Sequence, residues 1–338
     1  MKILIYNEDY QTVKESGVGK AIDHQKKALD LVGVSYTLNP DDYYDICHIN
    51  TVFPKSAFFA NKAKKSGKKV VYHGHSTKED FKNSFVLSNE LAPFFKKWLI
   101  HCYKKGDLIL TPTQYSKNIL DSYKIGKEIK VVSNGVDLDF WKKKENDREN
   151  FYQRYKLDKN KKSIISVGLF IERKGILDFV DLAKKLPQYE FVWFGELKLS
   201  LVPEKIKKAV KTDLKNLHFP GYVSQELLRE AYSGSDLYIF PTFEETEGIV
   251  LLEALATKAD TIIRDIEIYK NLKDGEEIYK AKDKKEFYKK IKLILERKYP
   301  SLKEEGYKLA QEKSIENIGL KLKKYYQDLL EREEKWEV

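Results

Sequence analysis

Two glutamates bracket the start of a predicted helix. An apolar strand ends at Pro241, a polar loop with Glu245 follows, and an apolar helix containing Glu253 begins near Gly248. The first amides of a helix have no carbonyl partners and lie at the positive end of the helix dipole, so they can bind a phosphate. A carboxylate accepts two hydrogen bonds, which suits paired sugar or ribose hydroxyls. A capped amphipathic helix with surface acids is the alternative interpretation.

A second segment places two cations after another predicted strand. This strand ends at Gly168, and Arg173 and Lys174 come shortly before the next predicted helix. Cations held at a strand end can neutralise the negative charge that develops on a departing diphosphate. The alternative interpretation is an ordinary pair of surface cations.

Histidine is rare in this chain, with six among 338 residues, yet His73 and His75 lie together at the end of one predicted strand. An acidic pair, Glu79 and Asp80, follows them. Parallel α/β sheets bind ligands at the carboxyl ends of their strands, which favours a functional role for these histidines. Histidines that are simply packed in the core are the alternative.

Gly17 and Gly19 follow the first predicted strand. Glycine has no Cβ, so we expect a tight turn in which the backbone can approach a phosphate or a sugar. The pair lacks the G-x-G-x-x-G spacing of a dinucleotide site, and a plain turn is the alternative interpretation.

These segments belong to a chain in which short apolar runs alternate with amphipathic stretches. Consecutive apolar positions are typical of strands covered on both faces, so the pattern predicts parallel sheets with crossover helices. The predicted strands of the first half span residues 2–7, 45–50, 69–73, 107–111 and 129–133. Those of the second half span residues 163–168, 190–195, 217–220, 237–241, 261–264 and 277–280.

A polar, charged segment between residues 142 and 162 separates two halves with the same β/α order. We therefore predict an α/β protein with two tandem Rossmann-like domains facing a cleft, residues 1–157 and residues 158–313. Residues 314–338 are predicted to form a last helix that crosses back to the first domain. Its apolar positions fall on one face, namely Ile315, Ile318, Leu322, Tyr325, Tyr326 and Leu329.

The composition indicates a globular protein of a reducing compartment. Apolar residues make up 42% and charged residues 34% of the chain, which excludes a disordered composition. The two cysteines, Cys47 and Cys102, have no metal-ligand spacing. No apolar run approaches the roughly 20 residues that cross a bilayer, and the opening MKILIYN is typical of a strand. We expect a cytoplasmic protein.

The net charge of +10 is concentrated in one stretch of the chain. Residues 51–130 contain 16 lysines and six acidic residues, whereas the remainder is balanced. Such a patch favours an anionic partner, either a membrane or a nucleic acid. Because no common RNA- or DNA-binding motif is present, we expect no nucleic-acid partner. A lysine-rich surface without a partner is the alternative.

Within this stretch, a predicted helix places aromatic side chains beside lysines. Amphipathic helices with lysine, tryptophan and phenylalanine bind flat on anionic leaflets, and each lysine adds ~1 kcal/mol. We predict a membrane-binding surface made of Phe94, Phe95, Lys96, Lys97, Trp98, Lys104 and Lys105. At helical spacing Leu99, Cys102 and Tyr103 join its apolar side. The alternative is a helix packed on the core with its lysines in water.

The spacing of Glu245 and Glu253, followed by Ala-Leu-Ala, resembles the signature of the retaining glycosyltransferases of family 4, which have the GT-B fold. Other segments match that family in the same order over nearly the whole chain. The resemblance implies that Glu245 contacts the transferred sugar and that Glu253 holds the nucleotide ribose. It assigns diphosphate binding to the amides of Ile249 and Val250, and at the start of the predicted helix the Gly248 amide would face the same anion.

The same resemblance assigns roles at other strand ends. Lys174 matches the phosphate-binding lysine of the family, but Leu169 stands where the family has an arginine after the glycine. Arg173 is the candidate to replace that arginine. The loop of Gly17 and Gly19 closes over the donor diphosphate in similar enzymes.

On the acceptor side, the resemblance aligns His75 with a histidine near the reacting centre, with His73 as the second choice. Acceptor-side candidates are Glu79, Asp80, Asn134 and Asp137. Val223 lies in the loop that resembles the base-binding loop of the family, and it favours uracil. Ordinary surface turns are the alternative for these loops.

Residues 75–81 and 245–250 resemble bacterial glycolipid enzymes that extend glucosyl-diacylglycerol. This resemblance implies a retaining hexosyltransferase that moves glucose or galactose from UDP-glucose or UDP-galactose to a glycolipid such as monoglucosyl-diacylglycerol. We expect no metal and no cofactor besides the donor, and a peripheral position on anionic lipids at the inner face of the cell membrane. The alternatives are a family 4 enzyme acting on a polysaccharide or other non-lipid acceptor, and a non-catalytic membrane-binding protein.

Overall fold

The structure is a computed structural model that describes residues 1–84 and 87–334. The chain divides into two compact units. Unit 1 comprises residues 1–79, residues 91–136 and the chain from residue 313 on, and unit 2 comprises residues 80–90 and 137–312.

Twelve strands lie within the described residues. In chain order they are β1 (Lys2–Tyr6), β2 (Ser35–Thr37), β3 (Ile46–Ile49), β4 (Lys69–His73), β5 (Leu108–Thr111), β6 (Ile129–Val131), β7 (Ser163–Val167), β8 (Glu190–Phe194), β9 (Leu217–Gly221), β10 (Leu237–Phe240), β11 (Thr261–Arg264) and β12 (Tyr279–Ala281).

The α-helices of the first half are α1 (Tyr10–Val13), α2 (Gly17–Leu31), α3 (Pro54–Lys65), α4 (Lys78–Phe81), α5 (Ser88–Tyr103) and α6 (Gln114–Ser122). Those that follow are α7 (Asp147–Arg154), α8 (Ile176–Lys185), α9 (Glu204–Val210), α10 (Gln225–Gly234), α11 (Ile249–Ala256), α12 (Lys284–Leu295), α13 (Lys303–Gln311) and α14 (Ile315–Glu334).

Each unit is built on a six-stranded parallel sheet. The strand order is β2-β1-β3-β4-β5-β6 in unit 1 and β12-β11-β10-β7-β8-β9 in unit 2. The chain reverses its winding once in each sheet, between β1 and β3 and between β7 and β10. Doubly wound sheets bind ligands outside the carboxyl ends of the strands at such reversals. The prediction of two Rossmann-like α/β domains is confirmed.

Both faces of the unit 1 sheet are covered by apolar side chains. Ile3 and Ile5 of β1 pack toward α2 and α14, and Leu4 packs on the opposite face, as the period of two in a strand requires. The predicted apolar face of α14 is confirmed, since Ile318 and Leu322 are buried in the same layer as Ile3. Burial of each such side chain contributes about 1.5–3 kcal/mol, which holds α14 on unit 1.

The division between the units follows Val136, whereas the sequence places it near Leu157. The intervening helix α7 packs on α10, where Arg229 binds Asp147 at 2.7 Å. A Cβ on Gly234 of α10 would lie 2.7 Å from the carbonyl oxygen of Asp147, so only glycine allows this contact. Residues 137–157 therefore pack with unit 2, although they contribute no strand to its sheet.

Candidate active site

In unit 2, the loops after β7 and β10 meet at the winding reversal. The first loop ends in a 3-10 turn, Glu172–Lys174, and the second leads to α11. Gly175, directly after the 3-10 turn, has a φ of 80°, and a Cβ there would lie 2.3 Å from the carbonyl oxygen of Pro241 in the second loop. Glycine is therefore required for the two loops to approach, and this approach brings Lys174 to Glu245.

Glu245 is a buried carboxylate surrounded by donors. It accepts from Lys174 Nζ at 2.5 Å and from Thr242 Oγ1 at 2.8 Å, and the guanidinium of Arg173 lies 4.0 Å away. Burial alone raises the pKa of a carboxyl group, but here Lys174 and then Arg173 outweigh it and lower the pKa of Glu245. The carboxylate is thus ionised at neutral pH and holds an ammonium group at the winding reversal.

Arg173 holds Asp80 and Ser84 on the rest of unit 2. Its guanidinium lies 2.8 Å from Asp80 and donates to the carbonyl of Glu244 at 2.7 Å and to Ser84 Oγ at 3.3 Å. Burial raises the pKa of Asp80, and Arg173 partly opposes this effect. The guanidinium therefore positions the loop that carries Glu245, while a direct contact with a diphosphate stays a prediction.

The amino end of α11 begins three residues beyond Glu245. Its N-cap, Gly248, has a left-handed φ of 90°, and no described side chain caps this end. The amides of Ile249 and Val250 come first in the helix and have no carbonyl partner within it. One turn further on, Glu253 is fully buried, with the Tyr232 hydroxyl 3.4 Å from Oε2. Donor-site roles for these groups and for the half-buried Val223 after β9 stay predictions.

In unit 1, His73 and His75 are both buried, and their rings stack 4.0 Å apart. A third histidine, His48 of β3, has Nε2 3.1 Å from Nδ1 of His73. Burial lowers the pKa of His48 and of His75 to about 3 and that of His73 well below its ordinary value. All three rings are neutral at physiological pH. His48 is not among the residues predicted from the sequence, although it too is a polar side chain near the end of a predicted strand.

The other acceptor-side candidates are divided between the two units. Glu79, in unit 1, accepts from the Tyr123 hydroxyl at 2.6 Å, whereas its neighbour Asp80 belongs to unit 2. Asn134 is buried in unit 1, and Asp137 accepts from the backbone amide three residues further along in unit 2. A shared role for these four residues stays a prediction.

Gly17 and Gly19 lie in the first turn of α2, not in the tight turn expected from the sequence. Ser16 is the N-cap and accepts from the Gly19 amide at 3.4 Å. A Cβ on Gly19 would lie 2.4 Å from the carbonyl oxygen of Val13, so this glycine permits α1 to pack against α2. The cause is local, because Ser16 caps a helix that begins where the sequence predicts a turn.

Helix α5 is divided between core and surface. Leu99, Cys102 and Tyr103 are buried in the core of unit 1, as the alternative interpretation holds. Phe95 and Trp98 are half-buried, and the indole of Trp98 donates to the carbonyl of Val52 at 2.6 Å. Among the predicted membrane-binding residues, Lys97 and Lys104 are exposed, Lys96 and Lys105 are half-buried, and Phe94 is 67% exposed.

Within residues 1–84 and 87–334, no group of three or more His, Cys, Asp or Glu side chains is arranged to hold a metal ion. No described helix combines the length and apolarity needed to span a bilayer. Cys47 and Cys102 are buried and free.

Family models match most of the chain. Residues 38–140 match the model described as Glycosyltransferase Family 4, and residues 147–312 match the model described as Glycosyl transferases group 1. The second match contains Lys174, Glu245 and α11.

Curated relatives are similar over most of the chain. The chain is 42% identical over 334 residues to the processive diacylglycerol alpha-glucosyltransferase of Acholeplasma laidlawii, covering 98% of this chain and 99% of that protein. It is 26% identical over 283 residues to the alpha-galactosylglucosyldiacylglycerol synthase of Streptococcus pneumoniae, covering 81% and 75%.

Solved structures share the fold at low sequence identity. HepE of Anabaena, crystallised with UDP-glucose, has a TM-score of 0.78 at 15% identity, covering 97% of this chain and all of that one. Sucrose-phosphate synthase of Thermosynechococcus elongatus has a TM-score of 0.80 at 14% identity, covering 98% of this chain and all of that one. The chain therefore belongs to the family 4 glycosyltransferases of GT-B fold, among the glycolipid glycosyltransferases.

Proposed function

We propose that this enzyme is a retaining hexosyltransferase that moves glucose or galactose from a UDP-sugar to monoglucosyl-diacylglycerol and so forms diglycosyl-diacylglycerol. One observation carries the donor side of this proposal: the ion pair of Lys174 with buried Glu245, three residues before Gly248 at the start of α11. The relatives named as diacylglycerol glycosyltransferases support the lipid acceptor.

The geometry of unit 2 fits the chemistry of a departing UDP. Lys174 and the first amides of α11 would stabilise the charge that develops on the diphosphate, which is the largest electrostatic demand of the reaction. Glu245 would then exchange its bond with Lys174 for contacts with the transferred sugar. Glu253 would hold the ribose and Val223 the uracil. The acceptor hydroxyl would attack from the face that UDP leaves, and this retains the anomeric configuration.

Protein groups alone supply the cations in this proposal, so we propose that no metal or other cofactor is needed. Unit 1 would contribute His75, with His73 beside it, to contact the acceptor. Glucose is the donor sugar to test first, because the relative at 42% identity is named as a glucosyltransferase.

The acceptor is a lipid, and α5 offers a surface for membrane contact. Phe94 is 67% and Leu91 47% exposed, Lys97 is exposed on the same helix, and Lys104 is exposed directly after its last residue. We propose that this surface, which we call the α5 patch, binds anionic lipids and keeps the enzyme at the inner face of the cell membrane. The excess of lysine between residues 51 and 130 supports this position.

The test is an assay of UDP release and lipid products. The protein is incubated with UDP-glucose or UDP-galactose, with and without vesicles containing monoglucosyl-diacylglycerol. We expect UDP release that depends on these vesicles and a diglycosyl lipid with retained configuration. Turnover indifferent to vesicles would favour a non-lipid acceptor, and vesicle binding without UDP release from either donor would favour a non-catalytic protein.

A further inference from the structure

A hydrogen-bond network lies behind the strand end that carries His73 and His75. Its members come from α2, β3, the residue after β3, β4, the loop after β4 and α14 of unit 1, and none is more than 8% exposed. They are Gln25, His48, Asn50, His73, His75 and Tyr326.

The side-chain amides of Gln25 and Asn50 determine which atoms of this network donate hydrogen bonds and which accept them. Asn50 Nδ2 donates to Gln25 Oε1 at 2.9 Å, which leaves the Gln25 amide nitrogen as a donor. That nitrogen lies 2.8 Å from His48 Nδ1 and donates to the Tyr326 hydroxyl at 3.2 Å. The same hydroxyl lies 2.6 Å from His48 Nδ1. An amide nitrogen only donates, so His48 Nδ1 accepts and the ring proton of His48 is on Nε2.

The position of the ring proton of His48 in turn determines that of His73. His48 Nε2 lies 3.1 Å from His73 Nδ1, so His73 Nδ1 accepts and its ring proton is on Nε2. In the part of the chain that the structure describes, this buried Nε2 has no hydrogen-bond partner. Native proteins rarely keep a buried donor unpaired without a use for it.

A second series of hydrogen bonds runs from Gln25 through Asn50 to His75. Its Nε2 lies 3.1 Å from Asn50 Oδ1, which is an acceptor because the other end of the Asn50 amide donates to Gln25. The proton of His75 is therefore on Nε2, and Nδ1 keeps a lone pair that no described residue satisfies. The stacked rings thus offer one N–H donor and one nitrogen acceptor, a combination that suits hydroxyl groups, which both accept and donate.

We propose that Gln25 and Tyr326 are positioning residues of the acceptor side. Through His48 and Asn50 they fix the ring protons so that His73 Nε2–H donates to a sugar hydroxyl of the acceptor and His75 Nδ1 accepts from one. This inference rests on the proposed function, because it assigns these hydroxyls to the glycolipid. It also gives the last helix, α14, a part in the site through Tyr326.

The first test reads the ring protons in the full-length protein labelled with ¹⁵N-histidine, by long-range ¹H–¹⁵N correlation. In the wild type, His48, His73 and His75 should all be neutral with the proton on Nε2. In Gln25→Glu, the carboxylate accepts from His48, so the protons of His48 and His73 should move to Nδ1 while that of His75 stays. A proton on Nδ1 of His48 in the wild type, or no change at His73 in the variant, would overturn the proposal.

The second test compares two neighbouring tyrosines of α14. Tyr326→Phe removes the hydroxyl from the network, whereas Tyr325→Phe removes one that donates to the carbonyl of Val131 at 3.1 Å, outside it. For Tyr326→Phe we expect kcat/KM for monoglucosyl-diacylglycerol to fall roughly three- to tenfold, the effect of one hydrogen bond, with an unchanged KM for the UDP-sugar. Equal kinetics for the two variants would overturn the proposal.

The two tests separate this inference from the proposed function. A wild type that transfers no sugar to the glycolipid refutes the function. The ring protons still decide whether the atoms of the network donate and accept as proposed. If Gln25→Glu does not fold, the wild-type protonation pattern and the tyrosine pair decide.

Discussion

At the scale of single residues, the ion pair of Lys174 and Glu245 should contribute both to the rate of UDP release and to the stability of unit 2. Lys174→Met removes the ammonium group that faces the leaving diphosphate, so we expect UDP release to slow by about 100-fold or more. The same change leaves a buried carboxylate without its cation, which costs about 3–5 kcal/mol of unfolding free energy. Turnover and denaturant unfolding measure the two effects.

Two further variants separate stability from catalysis at this pair. In the double variant Lys174→Met with Glu245→Gln, no buried charge is left unpaired, so stability should partly return while turnover should not. Lys205→Met breaks an exposed pair with Glu172 in the same unit and is the matched control. Normal turnover in the double variant would exclude Lys174 from the reaction.

The buried histidines predict how the stability of unit 1 depends on pH. Their folded pKa values are depressed, and in the unfolded chain a histidine titrates near 6.5. The stability they contribute is thus complete above about pH 6.5 and is lost as the pH falls toward the folded pKa of about 3. From about pH 7.5 to about 5.5, three such groups should lower the unfolding free energy of unit 1 by about 4 kcal/mol.

Hydrogen exchange of the β3 and β4 amides measures this loss. His101→Gln is the control, because it removes a histidine that is exposed on α5 and lies outside the buried group. Exchange rates in β3 and β4 that reveal no loss of stability across this pH range would show that the histidines are not buried as neutral rings.

At the scale of elements, the start of α11 depends on a glycine. A Cβ on Gly248 would lie 2.7 Å from the Tyr269 hydroxyl and 3.0 Å from the Phe240 ring, whereas one on Gly275 would meet nothing within 4 Å. Both glycines have a positive φ, so either alanine costs about 1 kcal/mol, and Gly248→Ala adds about 1–3 kcal/mol of overpacking. We expect Gly248→Ala alone to weaken UDP binding, as titration calorimetry can show; equal UDP affinity in both variants would contradict this role for α11.

The sequence predicts elements well where a local pattern defines them. Eleven strands lie within two residues of their predicted bounds, because runs such as 163–167 are apolar at most positions. Strand β2 escapes prediction because Ser35–Thr37 is short, partly polar and at the sheet edge. The buried side of α5 also escapes, because a period of 3.6 identifies an apolar face without saying whether core or lipid covers it.

The site is less predictable than the strands because the residues that form it are far apart in the sequence. Glu245 and Lys174 are 71 residues apart, and only the order of β7 and β10 in the sheet brings them together. The resemblance to a known family supplied the pairing that local patterns do not contain. Gln25 and Tyr326, which lie 301 residues apart, gave no comparable signal in the sequence.

At the scale of the whole molecule, the uneven charge predicts membrane binding that depends on salt and on the α5 patch. Phe94→Ser removes a large exposed side chain whose burial in lipid is worth about 1.5–3 kcal/mol, so binding to anionic vesicles should weaken about tenfold or more. Leu320→Ser, on α14 outside the basic stretch, is the matched control. Cosedimentation at low and high salt measures the effect, and equal binding of the two variants would exclude the α5 patch.

The most direct test of the donor site is a crystal structure of the protein with UDP. We predict that the diphosphate lies about 3 Å from the amides of Ile249 and Val250 and from Lys174 Nζ, with the ribose at Glu253. Lys174 should then have exchanged Glu245 for the phosphate. A UDP molecule bound away from α11, with Lys174 still paired to Glu245, would contradict the account.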